Sequence, residues 1–358
     1  MKILDWYILK RYLFTFFMML LLFIPIGIVV NLAEKISKIL EKNVPFEAVA
    51  EYYLNFTIYF AHLLFPLFIF LSIIWFTSKL ANNTEIVAFL SSGVSFYRFL
   101  KPYFIGALIV AFLALILGLY LAPKASKGFN EFTYKYLKSH RKPQQTTDIF
   151  RQINDDDFVY VSNYDAKNKR GSNFTFEHFE GDKLKVKIFA NSVRYIEKDS
   201  IYRLLKYYKR TITDDVEKIE SKPRLDTIFN FRVEDLTPVS YIAETLDYGE
   251  LNAFIKKEKK RGSSDIGRYE VVKYKKFSLP VAVFILTLIA VSVSSVKRRG
   301  GMGINLAFGI TIAMIYVFFD KIFGVLAQQS NFSPLIAVWL PNILFGFLAI
   351  YLLNNAKR

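Results

Sequence analysis

The chain has 358 residues, 53% of them hydrophobic, with 36 phenylalanines, 22 tyrosines and a formal net charge of +16. Such an apolar excess excludes an ordinary soluble globular protein, and the absence of cysteine excludes disulfide and thiolate–metal chemistry. The hydrophobic residues gather in six stretches free of Asp, Glu, Lys and Arg: 13–33, 52–78, 102–123, 277–296, 300–319 and 335–353.

Crossing the hydrocarbon core takes about 20 apolar residues. Each stretch is therefore a candidate span, three before a long polar segment and three after it. The first span follows Lys10 and Arg11, as a secretory signal would. It is too long for one, and no small-residue cleavage site follows, so we read it as a retained helix. Beyond it lie Lys35, Lys38 and Lys42 among Glu34, Glu41 and Glu47. Lys35 and Lys38 share a helical face if the helix continues. Such cations suit lipid phosphates, and they suit plain charge balance with the neighbouring glutamates.

The loop between the second and third spans, KLANNTEIVAFLSSGVSFYRFLK (79–101), carries a short helix signature over 83–92. Asn82 and Glu85 are spaced as a capping box, and Gly93 offers a left-handed end. Ile86, Val87, Phe89 and Leu90 make the helix amphipathic. It lies on lipid or docks into a partner.

After Pro123 the period changes. FVYVSNY (158–164), NFTFEHFEG (173–181), KLKVKIFANSVRYIE (183–197), SIYRLLKYYKRTIT (200–213) and RLDTIFNF (224–231) alternate apolar and polar residues, with turn-forming clusters between them. Six or more antiparallel strands with one buried face are expected, as a sandwich, jelly roll or open barrel. Phe158, Tyr160, Phe174, Phe176, Tyr202 and Leu204 are expected inward, forming a sheet core or an apolar trough. Helical signals at 124–138 and 244–261 flank the sheet. The run Asp155-Asp156-Asp157 reads as a solvated turn, and the histidines at 62, 140 and 178 are too scattered to suggest a metal site.

Lys297-Arg298-Arg299 interrupts the last apolar region between the fourth and fifth spans. With a cytoplasmic amino terminus, segments 1–12, 78–102, 297–303 and 354–358 all face the cytoplasm, and they hold eleven Lys/Arg against two acids. The opposite-side segment 34–51 has three Lys against four Glu. That asymmetry places both termini in the cytoplasm and 123–276 outside it. Asp320-Lys321 ends a long uncharged run in the fifth span. Such a pair faces a cavity or partner, or pairs with itself while reaching for the interface. Gly300-Gly301-Met302-Gly303 lacks the Lys-Ser/Thr of a nucleotide-binding loop.

Several runs together resemble one family, the F and G permease subunits of the bacterial lipopolysaccharide-export ABC transporter. These are LLFPLF…SKLANNTEIVAFLSSG with Pro66, Leu80, Glu85 and Gly93, and LDYGELNAFI…KYKKFSLPVAVFILTLIAVSVS with Pro280. SVKRRGGMG, YVFFDKIFG (316–324) and SPLIAVWLPNILF (333–345) with Pro334, Trp339, Pro341 and Asn342 complete the order, which covers nearly the whole chain. The length and YVFFDKIFG lean towards the G type.

The resemblance implies an integral membrane α-helical protein, six transmembrane helices (3+3) with an inserted all-β, jelly-roll-like periplasmic domain. Its expected division is 1–123, with the coupling helix at 83–92, then 124–272 with connector helices, then 273–358. It would sit in the bacterial inner membrane and extract lipopolysaccharide from the outer leaflet. A second six-span permease would pair with it, as a heterodimer or homodimer, and periplasmic jelly-roll bridge proteins would receive the lipid. A cytoplasmic ATPase dimer would hold ATP and Mg, leaving this chain without a cofactor, metal or catalytic residue.

Within that scheme Glu85, Ile86, Phe89, Leu90 and Gly93 would meet the ATPase. Lys35, Lys38, Asp320 and Lys321 would face the lipid at gates formed by the first and fifth spans. Phe158, Tyr160, Phe174, Phe176 and Phe189 would form a trough for acyl chains. The alternative is a membrane-anchored lipid-binding scaffold without ATP coupling. Neither reading involves nucleic acid, and an envelope-glycan enzyme lacks the acid/base cluster it would need.

Overall fold

The computed structural model describes residues 3–138, 146–165, 168–196, 199–213, 216–229, 231, 241–263, 265–296, 301–329 and 332–356. Lys297-Arg298-Arg299, His140 and Asp214-Asp215 lie outside them. The chain divides into a helical unit (Met1–Leu137, Glu244–Tyr248 and Gly267–Arg358) and a second unit (Lys138–Ala243 and Gly249–Ile266) that contains the sheet.

Six helices are long and apolar enough to cross a membrane. The first two are α1 (Ile3–Glu41) and α2 (Phe46–Asn82), followed by the short α3 (Glu85–Ser91). A continuous helical stretch then runs from α4 (Phe96–Ile116) through a π-helical turn (Leu117–Leu121), α5 (Ala122–Phe132) and a second π turn ending at Leu137. Residues 124–137 of the expected 124–138 connector thus continue the third spanning helix within the helical unit. After the sheet come α6 (Ile242–Thr245), α7 (Tyr248–Lys260), α8 (Ile266–Ser294), α9 (Gly301–Gln329) and α10 (Pro334–Ala356). With 39 residues, α1 is about 58 Å long at helical rise, far more than a hydrocarbon core of about 30 Å needs.

The core of the helical unit joins Tyr12 and Phe16 of α1, Phe70 and Ile73 of α2, Tyr103 and Ala107 of α4, and Leu286 and Ala290 of α8. Close approach is built from glycines. A Cβ on Gly106 would run into the Tyr12 ring, and one on Gly309 into Ile74. Ser292 and Ser294, polar residues at the end of the fourth span, are buried and donate to the carbonyls of Leu288 and Ala290 one turn back. Their polarity is satisfied inside the helix.

The sheet has six antiparallel strands in chain order: β1 (Thr147–Gln152), β2 (Asp157–Asp165), β3 (Arg170–Glu180), β4 (Lys183–Ile196), β5 (Ile201–Thr213) and β6 (Val216–Thr227). Each pairs with its sequence neighbour, which is the connectivity of a meander inside the expected inserted all-β domain. Asn154, ahead of β2, accepts the backbone N–H groups of Asp156 and Asp157, so the acidic run is a turn.

One line crosses the whole sheet. In all five strand pairs the ladder skips a single opposed pair: Asp148–Ser162, Ser162–Asn173, Asn173–Asn191, Asn191–Lys206 and Lys206–Pro223. On alternate strands the skipped residue is left-handed: Asp148 (φ 49°), Asn173 (φ 49°) and Lys206 (φ 50°). Across the line the buried apolar positions of β2–β5 step by three instead of two: Val161 to Tyr164, Gly171 to Phe174, Ala190 to Val193 (with Ser192 also buried) and Leu204 to Tyr207. Asp and Asn tolerate that backbone well. Pro223 falls where β6 needs no ladder donor. The sheet therefore carries a transverse crease at which the four middle strands exchange faces.

Candidate functional site

The short helix α3 is where a structured loop meets the helical core. Its amino terminus is not built as a capping box. Thr84 takes a left-handed backbone (φ 58°) and makes no side-chain cap. The Glu85 carboxylate reaches instead to α1, accepting from the Tyr7 hydroxyl at 2.8 Å and from Asn83 Nδ2 at 3.3 Å. Arg11 stacks on the Tyr7 ring, 4.6 Å from its centroid. At the carboxyl end Gly93 supplies the expected left-handed residue (φ 84°). Just beyond it Arg98 of α4 donates both terminal nitrogens to the buried Asp5 carboxylate of α1.

The apolar residues of α3 divide. Ile86 is buried in the core, and Phe89 is part-buried against that core beside Phe99. Val87 and Leu90 are exposed. Of the expected coupling residues, Ile86 thus lies in the core, Phe89 is part-buried against it and Leu90 is exposed. With a seven-residue helix and an apolar core on one side, the inward face takes two of the three.

At the opposite end of α1, Lys35 and Lys38 have different surroundings. Lys35 donates to the Tyr52 hydroxyl at 2.7 Å, which in turn donates to Asn31, and its ammonium lies over the Tyr52 and Phe129 rings. Lys38 is exposed. Asp320 does not pair with Lys321. It accepts from Lys275 of α8 at 2.7 Å, while Lys321 is exposed. Consecutive residues of α9 point about 100° apart and do not face each other, whereas Lys275 of α8 lies within hydrogen-bond reach of Asp320.

Sequence reasoning missed Tyr7, Lys275 and Lys276. Lys276 is buried, and it donates at 2.9 Å to the carbonyl of Gly118 in the first π turn and at 3.4 Å to that of Leu246. Widening the helix to π geometry releases a carbonyl from the i−4 ladder, and the ammonium takes it. The available signal was the pair of lysines directly ahead of the fourth apolar stretch. His62 stands against the same glycine, 3.3 Å from the position of its absent Cβ.

In the sheet the five trough candidates do not share a surface. Phe174 and Phe176 join the inner cluster with Val161, Tyr202, Leu204, Phe229 and Phe231. Phe158, Tyr160 and Phe189 fall on the other face, because Val159 and Val161 are the inward residues of β2 and Ala190 that of β4. On that outer face Phe158 stacks on Phe150, and a shallow cavity of about 230 Å³ lies among Phe150, Phe158, Tyr160, Thr175, Glu177 and Lys187. Tyr160 donates to Asp148 at 2.9 Å, and that hydrogen bond to a carboxylate pushes its phenol above the ordinary value. Among the described residues no cluster of His, Asp and Glu could hold a metal ion.

Comparison with known proteins bears on these features together. A family model described as lipopolysaccharide export system permease LptF/LptG matches residues 6–355. Two curated relatives are each 20% identical over 353 residues, covering 98% of both chains. Both are named lipopolysaccharide export system permease protein LptG, one from Escherichia coli strain K12 and one from Escherichia coli O6:H1.

Proposed function

The chain belongs to the lipopolysaccharide export system permease family LptF/LptG, and from that premise we propose that it is a G-type subunit of an ATP-driven exporter in the bacterial inner membrane. It pairs with a second six-span permease, and the pair lifts lipopolysaccharide from the outer leaflet towards a periplasmic bridge. The observation that carries this reading is how unevenly the spans are covered. Only 6% of the apolar window of α1 and 22% of that of α9 are buried inside the chain, against 61% for α8. Two long helices with so little protein around them suit the walls of a lateral cavity shared with a partner and open to lipid.

Energy for the step must come from another chain. Exposing acyl chains to water costs about 0.8 kcal/mol per CH₂, so several chains together need a driven, sheltered route. In this reading α3 receives the drive, with Val87 and Leu90 presented to the ATPase and Glu85 at the edge of that surface. Lys38 and Lys321 are the exposed cations available to lipid phosphates, while Lys35 and Asp320 shape the helices that carry them. The inner sheet face built on Phe174 and Phe176 is the candidate acyl path, and Phe158, Tyr160 and Phe189 fall outside it.

The test is purification of the tagged chain from its native membrane in mild detergent, with bound proteins and lipids identified by mass spectrometry. Recovery of a small ATPase, a second six-span permease and lipopolysaccharide is expected, with ATPase recovery strongly reduced on Glu85→Ala. Recovery of the chain with lipid alone, unchanged by that substitution, would replace the exporter by a lipid-binding scaffold.

A further inference from the structure

We infer that Tyr7 is a positioning residue for Glu85, and that through it the first two turns of α1 hold the coupling segment so that motion of α3 is delivered straight to the first span. The inference rests on the exporter reading above and adds a mechanical connection to it.

Four observations carry it. First, the Glu85 carboxylate is turned away from its own helix. Thr84 is left-handed and provides no cap, so the obvious local role for Glu85, closing a capping box, is not taken up. The carboxylate instead accepts the Tyr7 hydroxyl at 2.8 Å from a residue 78 positions earlier. Second, the phenol is itself held, because the Arg11 guanidinium covers its ring at 4.6 Å. Third, the far side of the same segment is tied to the same helix. Arg98 makes a two-pronged contact with Asp5, whose side chain is 1% exposed. Such forked arginine–carboxylate pairs fix orientation as well as distance. Fourth, α1 continues without interruption from Ile3 to Glu41, so the turns that carry Asp5 and Tyr7 and the turn that carries Lys35 and Lys38 belong to one helix.

The consequence is geometric. α3 is attached to α2 and α4 by the chain itself, and to α1 only by side chains. Ile86 plugs the apolar core, Tyr7 holds the start of α3 and the Asp5–Arg98 pair holds the segment that follows it. A push on α3 therefore reaches α1 at two points on opposite sides of the short helix. Removing the Tyr7 hydroxyl leaves the ring, its contact with Arg11 and the packing of α1 in place, and leaves the Glu85 carboxylate held only by the longer Asn83 bond.

The experiment is a double-mutant cycle on the full permease pair in lipid nanodiscs. The ATPase subunit is titrated against wild type, Tyr7→Phe, Glu85→Ala and the double variant, and ATP turnover per bound ATPase is read on the same samples. Tyr7→Phe is expected to weaken ATPase binding about tenfold and to lower turnover, and the double variant to match Glu85→Ala alone, because the hydroxyl acts only through the carboxylate. A merely structural role would give additive losses, and thermal unfolding of Tyr7→Phe, expected within about 2 °C of wild type, separates a misfolded chain from a mispositioned one. Wild-type binding that Tyr7→Phe leaves unchanged, or additive effects in the cycle, would overturn the positioning role alone. Absence of ATPase binding to the wild-type pair would overturn the exporter reading and this inference with it.

Discussion

Helices α8 and α1 are both apolar enough to span a membrane, and they stand in opposite environments. Most of the apolar window of α8 is inside the chain, and almost none of that of α1 is. The buried side of α8 is rich in small and β-branched residues, Ala282, Val283, Ala290, Val291, Ser292 and Val293, beside Leu286. The middle of α1 carries large ones that face outward, Leu21, Leu22, Ile26, Val29 and Val30. Small residues let helix backbones approach inside a membrane, whereas large aliphatic ones are equally content with lipid. Hydropathy therefore identifies a span without saying what covers it. The fully buried residues of α1 lie towards its ends, from Asp5 to Phe16 and at Ile39, and between them it touches α2 more lightly, through Phe23 on Phe68 and Gly27 beside Phe60.

The sharpest way to break this contrast is one substitution made twice. Leu286→Ala in α8 removes a side chain that is 1% exposed in the main core. It should cost about 2–5 kcal/mol in thermal unfolding of the solubilised chain, as buried leucines generally do. Leu22→Ala in the middle of α1 should stay within about 0.5 kcal/mol in the same assay. Equal losses would mean that the outward face of α1 is supported from within the chain. Pairing with a second permease should raise the cost of Leu22→Ala and leave that of Leu286→Ala unchanged.

A smaller effect tests the gripped end of α1. Gly106→Ala would place a Cβ against the ring of Tyr12, a residue with no exposed surface. Overpacking of this kind costs about 1–3 kcal/mol, and the stiff ring on a fully packed site leaves little room to yield. The loss should be read in the unfolding midpoint, and Tyr12→Leu combined with Gly106→Ala should recover part of it. A neutral Gly106→Ala would show that α1 is loose even where it looks held.

How much of this was legible in the sequence depends on the length scale of the signal. The six spans, the inserted sheet, the break at Gly93 and the turn at Asn154 follow from runs of residues and local backbone preference, and the structure has all of them. The inward set of the sheet was legible only on each side of the crease. Phe158 and Tyr160 obey period two, yet the face they occupy is set by the strands beside them, where Val161 meets Phe174. The short β1 and the start of β6 were missed, the latter because β6 is exposed along most of its length and shows no alternation. Partners of charged groups were not legible at all. Asp320 has Lys321 next to it in sequence and Lys275 next to it in space, 45 residues away.

That last pair gives the smallest and most specific test of the contrast. α9 resembles α1 in being poorly covered, and its charged tether to the well-covered α8 is the Lys275–Asp320 bond at 2.7 Å. The side chains are 33% and 26% exposed, so water and ions reach them. A partly exposed pair contributes about 0.2–1 kcal/mol and weakens as salt rises. Lys275→Met, which keeps the aliphatic stem, should therefore lower the unfolding midpoint only slightly. Raising salt from about 50 to 500 mM should bring wild type towards the variant and leave the variant nearly unmoved. Spin labels on α8 and α9 should meanwhile report a broader distance distribution in Lys275→Met, because the apolar packing of α9 on α2 and α10, at Gly309, Tyr316 and Phe319, does not replace the lost tether to α8. A loss as large as that from Leu286→Ala would instead mean that this one bond carries the position of α9. In that case its sparse covering would reflect a helix pinned by charge, and α1 and α9 would no longer be two examples of the same thing.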